Sequence, residues 1–259
     1  MTRAAAFFDL DKTVIATTSA MAFSREFYAG GLVTRAEGLR SAYAHFVFML
    51  GSADADQTER LRASMSTLVT GWDVAQVREI VTSSLATTID PVVYAEAVDL
   101  IREHHAAGRD VVIVSASASD LVAPIAAVLG ADDFIASQME VADGRYTGNI
   151  TFYAYGEHKA EAIRDLAARE GYDLAASYAY SDSVTDVPML SVVGHATAVN
   201  PDRALRAAAD ERGWEVRRFA RPVSARTALT SKPVLATAGA VTLAGVVALV
   251  WGVARRRRA

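Results

Sequence analysis

The chain has 259 residues, of which 52% are hydrophobic and 22% are charged, a composition typical of a globular protein with one large domain or a domain plus an insert. It contains no cysteine, which excludes disulfides, thiolate metal sites and a cysteine nucleophile. The net charge of −4 is unevenly distributed along the chain. Nine basic residues follow Glu215, the last acidic residue, and the preceding body has 17 basic and 30 acidic residues. An acidic body argues against nucleic-acid binding, and the basic end favours contact with an anionic surface.

The first predicted strand covers the apolar residues 4–8, and two carboxylates follow it directly. No apolar segment long enough for a signal peptide precedes it, so we expect none. The spacing places Asp9 at the tip of the strand and Asp11 in the first turn of the loop, so both carboxylates can reach one small volume. Two like charges at close range are costly unless a cation neutralises them, and a hard divalent ion suits oxygen ligands. The pair predicts a metal-assisted reaction in which one carboxylate attacks and the other transfers protons, whereas the simpler alternative is a polar turn that closes a strand.

Residues 17 to about 85 have a helical pattern that no strand pattern interrupts. The predicted helices cover 21–28, 35–50, 59–69 and 74–85, and Asp73 is the predicted N-cap of the last one. We interpret this block as a helical insert between the first strand and the rest of the core. The block contains many aromatic and apolar side chains, which we expect to form its own core; an apolar cover for a lipid-like substrate is the alternative. They are Phe23, Phe27, Tyr28, Tyr43, Phe46, Phe48 and Met49.

From residue 90 onward, strand patterns alternate with helix patterns. The predicted strands are 110–115, 134–137, 177–181, 196–199 and 214–219, with a hairpin at 140–150 and helices at 90–107, 119–129, 157–170, 187–193 and 201–212. This alternation predicts an α/β fold with a doubly wound, mostly parallel sheet that is covered on both faces. Such sheets bind ligands at the carboxyl ends of their strands.

Polar side chains of complementary kinds are predicted at these strand ends and in nearby loops. Together they offer a nucleophile, an acid/base, a third carboxylate for a metal, and groups that hold phosphate oxygens, which is a complete set for phosphoryl transfer. Taken singly, several have simpler explanations: a serine can end a strand, a lysine can be solvated on a helix face, and an aspartate can cap a helix. The residues are Asp9, Asp11, Thr13, Ser115, Lys159, Asp182 and Asp186.

Four ordered motifs carry a family resemblance. They are D-x-D-x-T-V from Asp9 to Val14, an apolar run that ends at Ser115, Lys159, and D-S-x-x-D from Asp182 to Asp186. With these motifs the chain resembles the haloacid dehalogenase (HAD) superfamily of phosphatases over about residues 4–219. The helical insert directly after the first motif resembles the phosphoserine-phosphatase-like subgroup, subfamily IB.

The resemblance implies a division of the chain into domains. A HAD-like Rossmannoid catalytic core would comprise residues 1–15 and 90–219, and a helical cap would comprise residues 16–89. It also implies a phosphatase, that is, a phosphoric monoester hydrolase whose cofactor is Mg²⁺.

Roles for the carboxylates follow from the same resemblance. Asp9 would be the nucleophile that forms an aspartyl-phosphate, and Asp11 would protonate the leaving alcohol and then activate water. Asp9, the backbone carbonyl of Asp11, and Asp182 would hold Mg²⁺. In a rival register, Asp11-Lys12-Thr13 resembles the phosphorylated loop of P-type ATPases, and Asp11 would then be the nucleophile.

The remaining implied roles concern phosphate binding. Thr13, Ser115 and Lys159 would bind the phosphate group. Asp186 would support the metal or orient Lys159.

Two departures from the subgroup concern the substrate. Phosphoserine-specific relatives carry a glutamate just after the first motif, whereas here no acidic residue occurs until Glu26, and their Ser-Gly-Gly is here Ser115-Ala116-Ser117. Both departures argue against phosphoserine. We expect a small-molecule phosphomonoester; the alternatives are a lipid-linked phosphate, such as a lysophospholipid or glycerophosphate-lipid headgroup, and a non-catalytic membrane scaffold with the HAD fold.

The C-terminal end is predicted to be a membrane anchor. Residues 234–253 are twenty residues without a charge, enough for one transmembrane helix, between a basic linker at 220–233 and a basic tail at 254–259. Small residues at a spacing of four would permit close helix pairing and hence a homodimer. Cations flank both ends, so the positive-inside rule does not decide the orientation. We expect a single-pass protein of the cell membrane whose catalytic domain faces the cytoplasm.

Overall fold

A computed structural model describes residues 3–33, 63 and 66–220. In this part of the chain, seven strands form one sheet in the order β4-β3-β2-β1-β5-β6-β7, and all neighbouring strands are parallel except the antiparallel pair β3–β4. The predicted α/β fold with a mostly parallel sheet is therefore confirmed. The strands are β1 Ala5–Asp9, β2 Asp110–Ala118, β3 Asp133–Ala142, β4 Arg145–Phe152, β5 Tyr178–Ser181, β6 His195–Val199 and β7 Glu215–Arg217.

The central strand β1 is buried on both faces. Ala6 and Phe8 belong to the hydrophobic cluster on one face of the sheet, and Ala5 and Phe7 belong to the cluster on the other face. Such a continuous apolar run is typical of a strand inside a parallel sheet. Because β1 pairs with both β2 and β5, the residues that follow these three strands lie at the same edge of the sheet.

Eight helices and three 3₁₀ turns connect the strands within the described residues. Gly130 and Gly171 adopt the left-handed conformation, with φ of 76° and 75°, and end α5 and α6 at the predicted positions. The helices are α1 Ser19–Ala22, α2 Ser24–Ala29, α3 Val74–Ile89, α4 Ala95–Ala106, α5 Ser119–Leu129, α6 Glu157–Glu170, α7 Val187–Ser191 and α8 Arg203–Arg212, and the 3₁₀ turns are Asp90–Val92, Leu174–Ala176 and Val184–Asp186.

The described parts of the helical insert differ from the prediction in two places. The helix predicted at 21–28 is divided into α1 and α2 at Phe23, whose buried ring contacts Phe27 with ring centroids 6.0 Å apart. Asp73 caps α3 as predicted, since its Oδ1 accepts a hydrogen bond of 3.1 Å from the N–H of Gln76. The helix continues four residues beyond its predicted end, because its buried stripe continues to Ile89.

Strands β3 and β4 form the predicted hairpin, with a turn at Asp143 and Gly144, whose φ angles are 50° and 74°. The separately predicted strand 134–137 and the first hairpin strand are one continuous strand, β3. The hairpin also bonds to the segment before α3: Val74 N–H donates to Gly144 O at 3.0 Å, and Gly71 N–H donates to Tyr146 O at 2.8 Å. These backbone bonds attach the second half of the insert to the sheet.

Several predicted elements lie outside the described residues. They include the helix at 35–50, most of the helix at 59–69, nearly all of the basic linker, the membrane helix at 234–253 and the basic tail. Where the structure is described, no helix combines the length and the apolar character that crossing a bilayer requires. The membrane helix and the domain boundaries remain predictions.

Candidate active site

The first motif forms a tight turn at the end of β1. The N–H groups of Val14 and Ile15 both donate to Leu10 O, each at 3.0 Å. Lys12 adopts a φ of 65°, a left-handed conformation that is uncommon for a non-glycine residue. The turn keeps the residues after Asp9 close to the end of β1.

Lys159 lies between two carboxylates beside this turn. Its side chain is only 3% exposed, and Nζ donates to Asp9 Oδ1 at 2.7 Å and to Asp186 Oδ2 at 2.8 Å. Ser181, the last residue of β5, donates from Oγ to the same Asp186 oxygen at 2.7 Å. The buried ammonium group is therefore fixed by residues at the ends of β1 and β5, as expected when a buried charge must be paired.

The carboxylates near Lys159 are only partly compensated. Burial raises the pKa of Asp9 well above its ordinary value, and the attraction of Lys159 offsets only part of this effect. Burial likewise raises the pKa of Asp182 to about 7. For Lys159 itself, burial lowers the pKa, but Asp186 and Asp9 outweigh it and raise the pKa above its ordinary value. The site thus has more negative than positive charge when its carboxylates are ionised.

Asp11 is held by a different set of groups. Its Oδ1 accepts a hydrogen bond of 2.7 Å from the N–H of Ser19, the first residue of α1, and its Oδ2 accepts one of 2.9 Å from Ser117 Oγ. Ser19 Oγ in turn donates to Ser117 Oγ at 2.7 Å. Burial raises the pKa of Asp11, and these hydrogen bonds offset part of the increase. The two carboxylates of the first motif are therefore in different environments.

Thr13 and Ser115 are wholly buried. Thr13 Oγ1 donates to Asp182 Oδ1 at 3.4 Å, so its hydroxyl group faces a carboxylate that was predicted to hold metal. Ser115 Oγ accepts a hydrogen bond of 3.1 Å from the N–H of Ser117. This bond leaves the Ser115 hydroxyl hydrogen to be donated elsewhere.

The structure thus brings the seven predicted residues to one edge of the sheet. Their contacts form three sets, centred on Lys159, on Asp11 and on Asp182. The sequence reasoning missed Ser19, Ser117 and Ser181, which orient Asp11 and Asp186. Two of them had a usable signal: Ser117 follows Ser115 at the spacing that keeps a strand's side chains on one face, and Ser181 ends a strand next to the last motif.

The donor set fits a magnesium ion. Among the residues that the structure describes, no group of three or more His, Asp or Glu side chains is arranged to hold a metal ion. Asp9 and Asp182, which are close enough to interact electrostatically, would supply two carboxylates, and the family resemblance implies a carbonyl from the main chain at Asp11. Mg²⁺ in proteins is usually bound by one or two carboxylates and keeps several water ligands, so three protein oxygens are sufficient. In the described part of the chain, the carboxylates at this edge outnumber the buried Lys159, which also suits a divalent cation.

Comparison with known proteins places the chain in a family. The model of the haloacid dehalogenase-like hydrolases matches residues 6–191. The "Inhibition of morphological differentiation protein" of Streptomyces azureus is 55% identical, over 98% of this chain and 95% of the relative. A "Probable phosphatase" of Mycobacterium tuberculosis is 54% identical, over 95% of this chain and 86% of the relative. A phosphoserine phosphatase of the same organism is 37% identical, over 83% of this chain and 71% of the relative.

Two solved structures extend the comparison. A protein of unknown function from Bordetella pertussis has a TM-score of 0.70 and 32% identity, covering 84% of this chain and 99% of that chain. A phospho-aspartyl intermediate analogue of phosphoserine phosphatase has a TM-score of 0.62 and 21% identity, covering 88% of this chain and 98% of that chain, and shows the shared fold. The chain therefore belongs to the haloacid dehalogenase-like hydrolase family, as a phosphatase of its phosphoserine-phosphatase-like group.

Proposed function

We propose that the protein is a Mg²⁺-dependent phosphomonoesterase that acts through a phosphorylated Asp9. The observation that carries the proposal is the buried contact of Lys159 with both Asp9 and Asp186 at the end of β1. It fixes one carboxylate oxygen of Asp9 and places an ammonium group where phosphate oxygens would bind. Bound Mg²⁺ would offset the charge of Asp9, Asp182 and the phosphoryl group.

The reaction proceeds in two displacements. Asp9 Oδ2 attacks phosphorus while the bond from phosphorus to the alcohol oxygen breaks, and Asp11 gives its proton to that oxygen. A water molecule then attacks the phosphorus of the aspartyl-phosphate, Asp11 takes a proton from the water, and inorganic phosphate leaves as the Asp9 carboxylate is restored. Each proton thus passes through one carboxyl group, which the Ser19 and Ser117 hydrogen bonds keep in place.

The contacts support Asp9 as the nucleophile over the rival register with Asp11. Lys159 bonds to Asp9, whereas Asp11 accepts hydrogen bonds from Ser19 and Ser117. Asp9, which contacts the phosphate-binding cation, is suited to attack. Asp11 is left to exchange protons, and burial raises its pKa, which favours the protonated form that an acid needs.

The supporting residues are assigned from their contacts. Ser115 and Lys159 hold the transferred phosphate, and Asp186 orients Lys159. We assign Thr13 chiefly to orienting Asp182, because its hydroxyl group points at that carboxylate. This assignment revises the expected role of Thr13 in phosphate binding.

The test is phosphate release from a panel of phosphomonoesters, with Mg²⁺ and with EDTA. We expect release that needs Mg²⁺ and is lost in Asp9→Asn. With p-nitrophenyl phosphate, whose leaving group needs no acid, Asp11→Asn should accumulate an acid-stable, hydroxylamine-labile phosphoenzyme. Asp165→Asn is the matched control, because Asp165 is an exposed carboxylate on the same helix as Lys159. Undiminished release in Asp9→Asn would show that Asp9 is not the nucleophile, and no release from any ester would favour the scaffold alternative.

Residues 234–253 motivate a proposal about location. We propose that they anchor the enzyme in the cell membrane with the catalytic domain in the cytoplasm, which would raise its effective concentration on lipid-borne phosphates. The support is the run of twenty uncharged residues with basic residues on both sides. Membrane fractionation and cross-linking of the full chain, beside a chain that ends at residue 220, tests both the anchor and pairing into a homodimer. Equal activity of the two chains on liposomal phosphate lipids would remove the argument for a lipid substrate.

A further inference from the structure

A cavity of about 70 Å³ lies between the insert and the sheet. One wall comes from the insert, and a facing wall comes from the β3–β4 hairpin. The insert wall includes Val69 and Trp72, and the hairpin wall includes Met139, Tyr146 and Ile150. Since 10–15 Å³ of such space holds one water molecule, the cavity has room for about five non-hydrogen atoms.

The third wall of the cavity is the segment that positions the proposed acid. Ala116 and Ala118 line the cavity, and between them Ser117 donates to Asp11 Oδ2 at 2.9 Å. The oxygen of the leaving alcohol must lie within reach of Asp11 to receive its proton. The cavity is thus lined by both chain neighbours of a residue whose side chain contacts Asp11.

The lining of the cavity offers a polar substrate little to bind. Among the described residues that line the cavity, none has a charged side chain, and the hydroxyl groups of Ser66, Ser137 and Tyr146 already donate to protein acceptors. Ser66 Oγ donates to Gly148 O, Ser137 Oγ to Ala116 O at 2.7 Å, and Tyr146 Oη to Asp120 Oδ2 at 2.5 Å. A carboxylate buried here would find no unused donor on these three hydroxyl groups, and an ammonium group would find only their oxygens, whereas an apolar group would gain from burial.

The cavity walls are held in place before any substrate binds. Arg78 Nε, on α3, donates to Asp120 Oδ1 at 2.6 Å, and Tyr146 donates to the other oxygen of the same carboxylate. Asp120 lies in the first turn of α5, so one carboxylate ties the insert, the hairpin and the core together. A preformed wall loses little conformational freedom on binding.

We infer that this cavity receives the alcohol half of the substrate, so that the enzyme selects phosphomonoesters whose alcohol is apolar next to the phosphate. A branched alkyl group of four or five carbons, or the same portion of a longer apolar chain, is the ligand class that fits. This inference rests on the proposed function, which it makes more specific. It also gives a structural reason for the expected discrimination against phosphoserine, whose carbons carry an ammonium and a carboxylate.

A binding experiment tests the inference without requiring turnover. Isopentylphosphonate is compared with 2-amino-4-phosphonobutyrate, a phosphonate isostere of phosphoserine, on the full chain with Mg²⁺. Because Trp72 lines the cavity, its fluorescence reports binding, and Trp72→Phe identifies its share of the signal. We expect the apolar phosphonate to bind at least tenfold more tightly and to change the Trp72 emission. Equal or tighter binding of the amino compound, or no binding of the apolar one, overturns the inference.

Two substitutions at Ile150 test the chemistry of the wall. Ile150→Glu places a carboxylate in the cavity and is expected to reduce the preference for the apolar phosphonate at least tenfold, whereas the neutral Ile150→Gln should reduce it less. Circular dichroism shows whether each variant is folded. Ala118→Leu fills the cavity from the core side and is an independent test, since it should also reduce the preference for the apolar phosphonate. An unchanged preference in folded Ile150→Glu and in folded Ala118→Leu contradicts the inference.

Hydrolysis rates separate failure of the inference from failure of the proposed function. If isopentyl phosphate and phosphoserine are both hydrolysed but phosphoserine has the higher kcat/KM, the reaction is right and the inferred ligand class is wrong. If neither ester is hydrolysed while isopentylphosphonate still binds preferentially at Trp72, the cavity binds apolar phosphates and the proposed reaction is wrong.

Discussion

Replacing Lys159 by methionine is expected to destabilise the protein strongly. The substitution removes the ammonium group that lies 2.7 Å from Asp9 Oδ1 and 2.8 Å from Asp186 Oδ2, where the lysine side chain is only 3% exposed. It leaves two buried carboxylates facing an apolar side chain. Breaking a buried ion pair by removing one partner costs about 3–5 kcal/mol, and the loss of two hydrogen bonds to charged groups, each about 1.5–3 kcal/mol, gives a similar sum.

Urea unfolding at pH 7, without Mg²⁺, measures this loss. At a slope of about 2–3 kcal/mol/M, the unfolding midpoint should fall by about 1–2 M. Combining Lys159→Met with Asp9→Asn and Asp186→Asn should restore much of the stability, because the carboxylates left unpaired are then neutral. Arg164→Met on the same helix is the control: the Arg164 side chain is 50% exposed and pairs with Glu157, so the change should be within about 0.5 kcal/mol. A loss below about 1 kcal/mol, or no recovery in the triple variant, would refute the reasoning.

Acidification, a helix cap and a hairpin glycine give three further tests, all measured by urea unfolding. Burial, with Arg109 nearby, lowers the pKa of His104 to about 4. As pH falls from about 6.5 to 4, only the unfolded chain binds this proton, so the contribution of His104 should lower stability by up to about 3 kcal/mol and should not change above that range. The corresponding part of the pH slope should be absent in His104→Gln, and an identical slope in both proteins would exclude this cause. Asp73→Ala removes the acceptor for Gln76 N–H and should lower the free energy of unfolding by about 1 kcal/mol. Asp73→Ser keeps an acceptor and should lose much less. Equal losses in both variants would argue against capping. Gly148 has a φ of 90° and lies against the side chain of Thr70, so Gly148→Ala should lower the free energy of unfolding by about 2 kcal/mol or more. Gly144→Ala, whose added methyl group meets open space, should lower it by about 1 kcal/mol. Similar losses in the two variants would mean that only the backbone conformation matters.

The sequence predicted best those elements whose ends are set by local chemistry. Helix α6 was predicted at its observed bounds because Gly171 ends it, and Asp73 was identified as the cap of α3 because capping needs only residues a few positions apart. The break at Phe23 was not predicted. It accompanies packing of Phe23 against Phe27, and of Phe27 against Trp72 at 5.5 Å between ring centroids, a contact between residues far apart in the sequence.

In the candidate site, too, features set by local sequence were easier to predict than contacts between residues far apart in the sequence. The carboxyl ends of parallel strands meet at one edge of a sheet, so the proximity of Asp9 to Asp182 could be expected from the order of the strands alone. The hydroxyl partners could be expected only in part: the sequence shows that Ser117 and Ser181 lie near the motifs, but which carboxylate each hydroxyl group contacts depends on side-chain direction. Thr13 faces Asp182, and Ser117 reaches Asp11 where the pairing of β2 with β3 shifts register after Ser115. Such details follow from tertiary packing rather than from local spacing.

The central position of β1 has a consequence for how the chain folds during synthesis. β1 is synthesised before the other six strands of the described sheet, and its two partners begin only at Asp110 and Tyr178. One edge of β1 therefore stays unpaired until β2 is made and the other until β5 is made, and such long-range pairing is slow and exposes nascent chains to aggregation. The surroundings of Asp9 need Lys159 and Asp186, so a nascent chain interrupted before β5 would present an open strand edge instead of an enzyme.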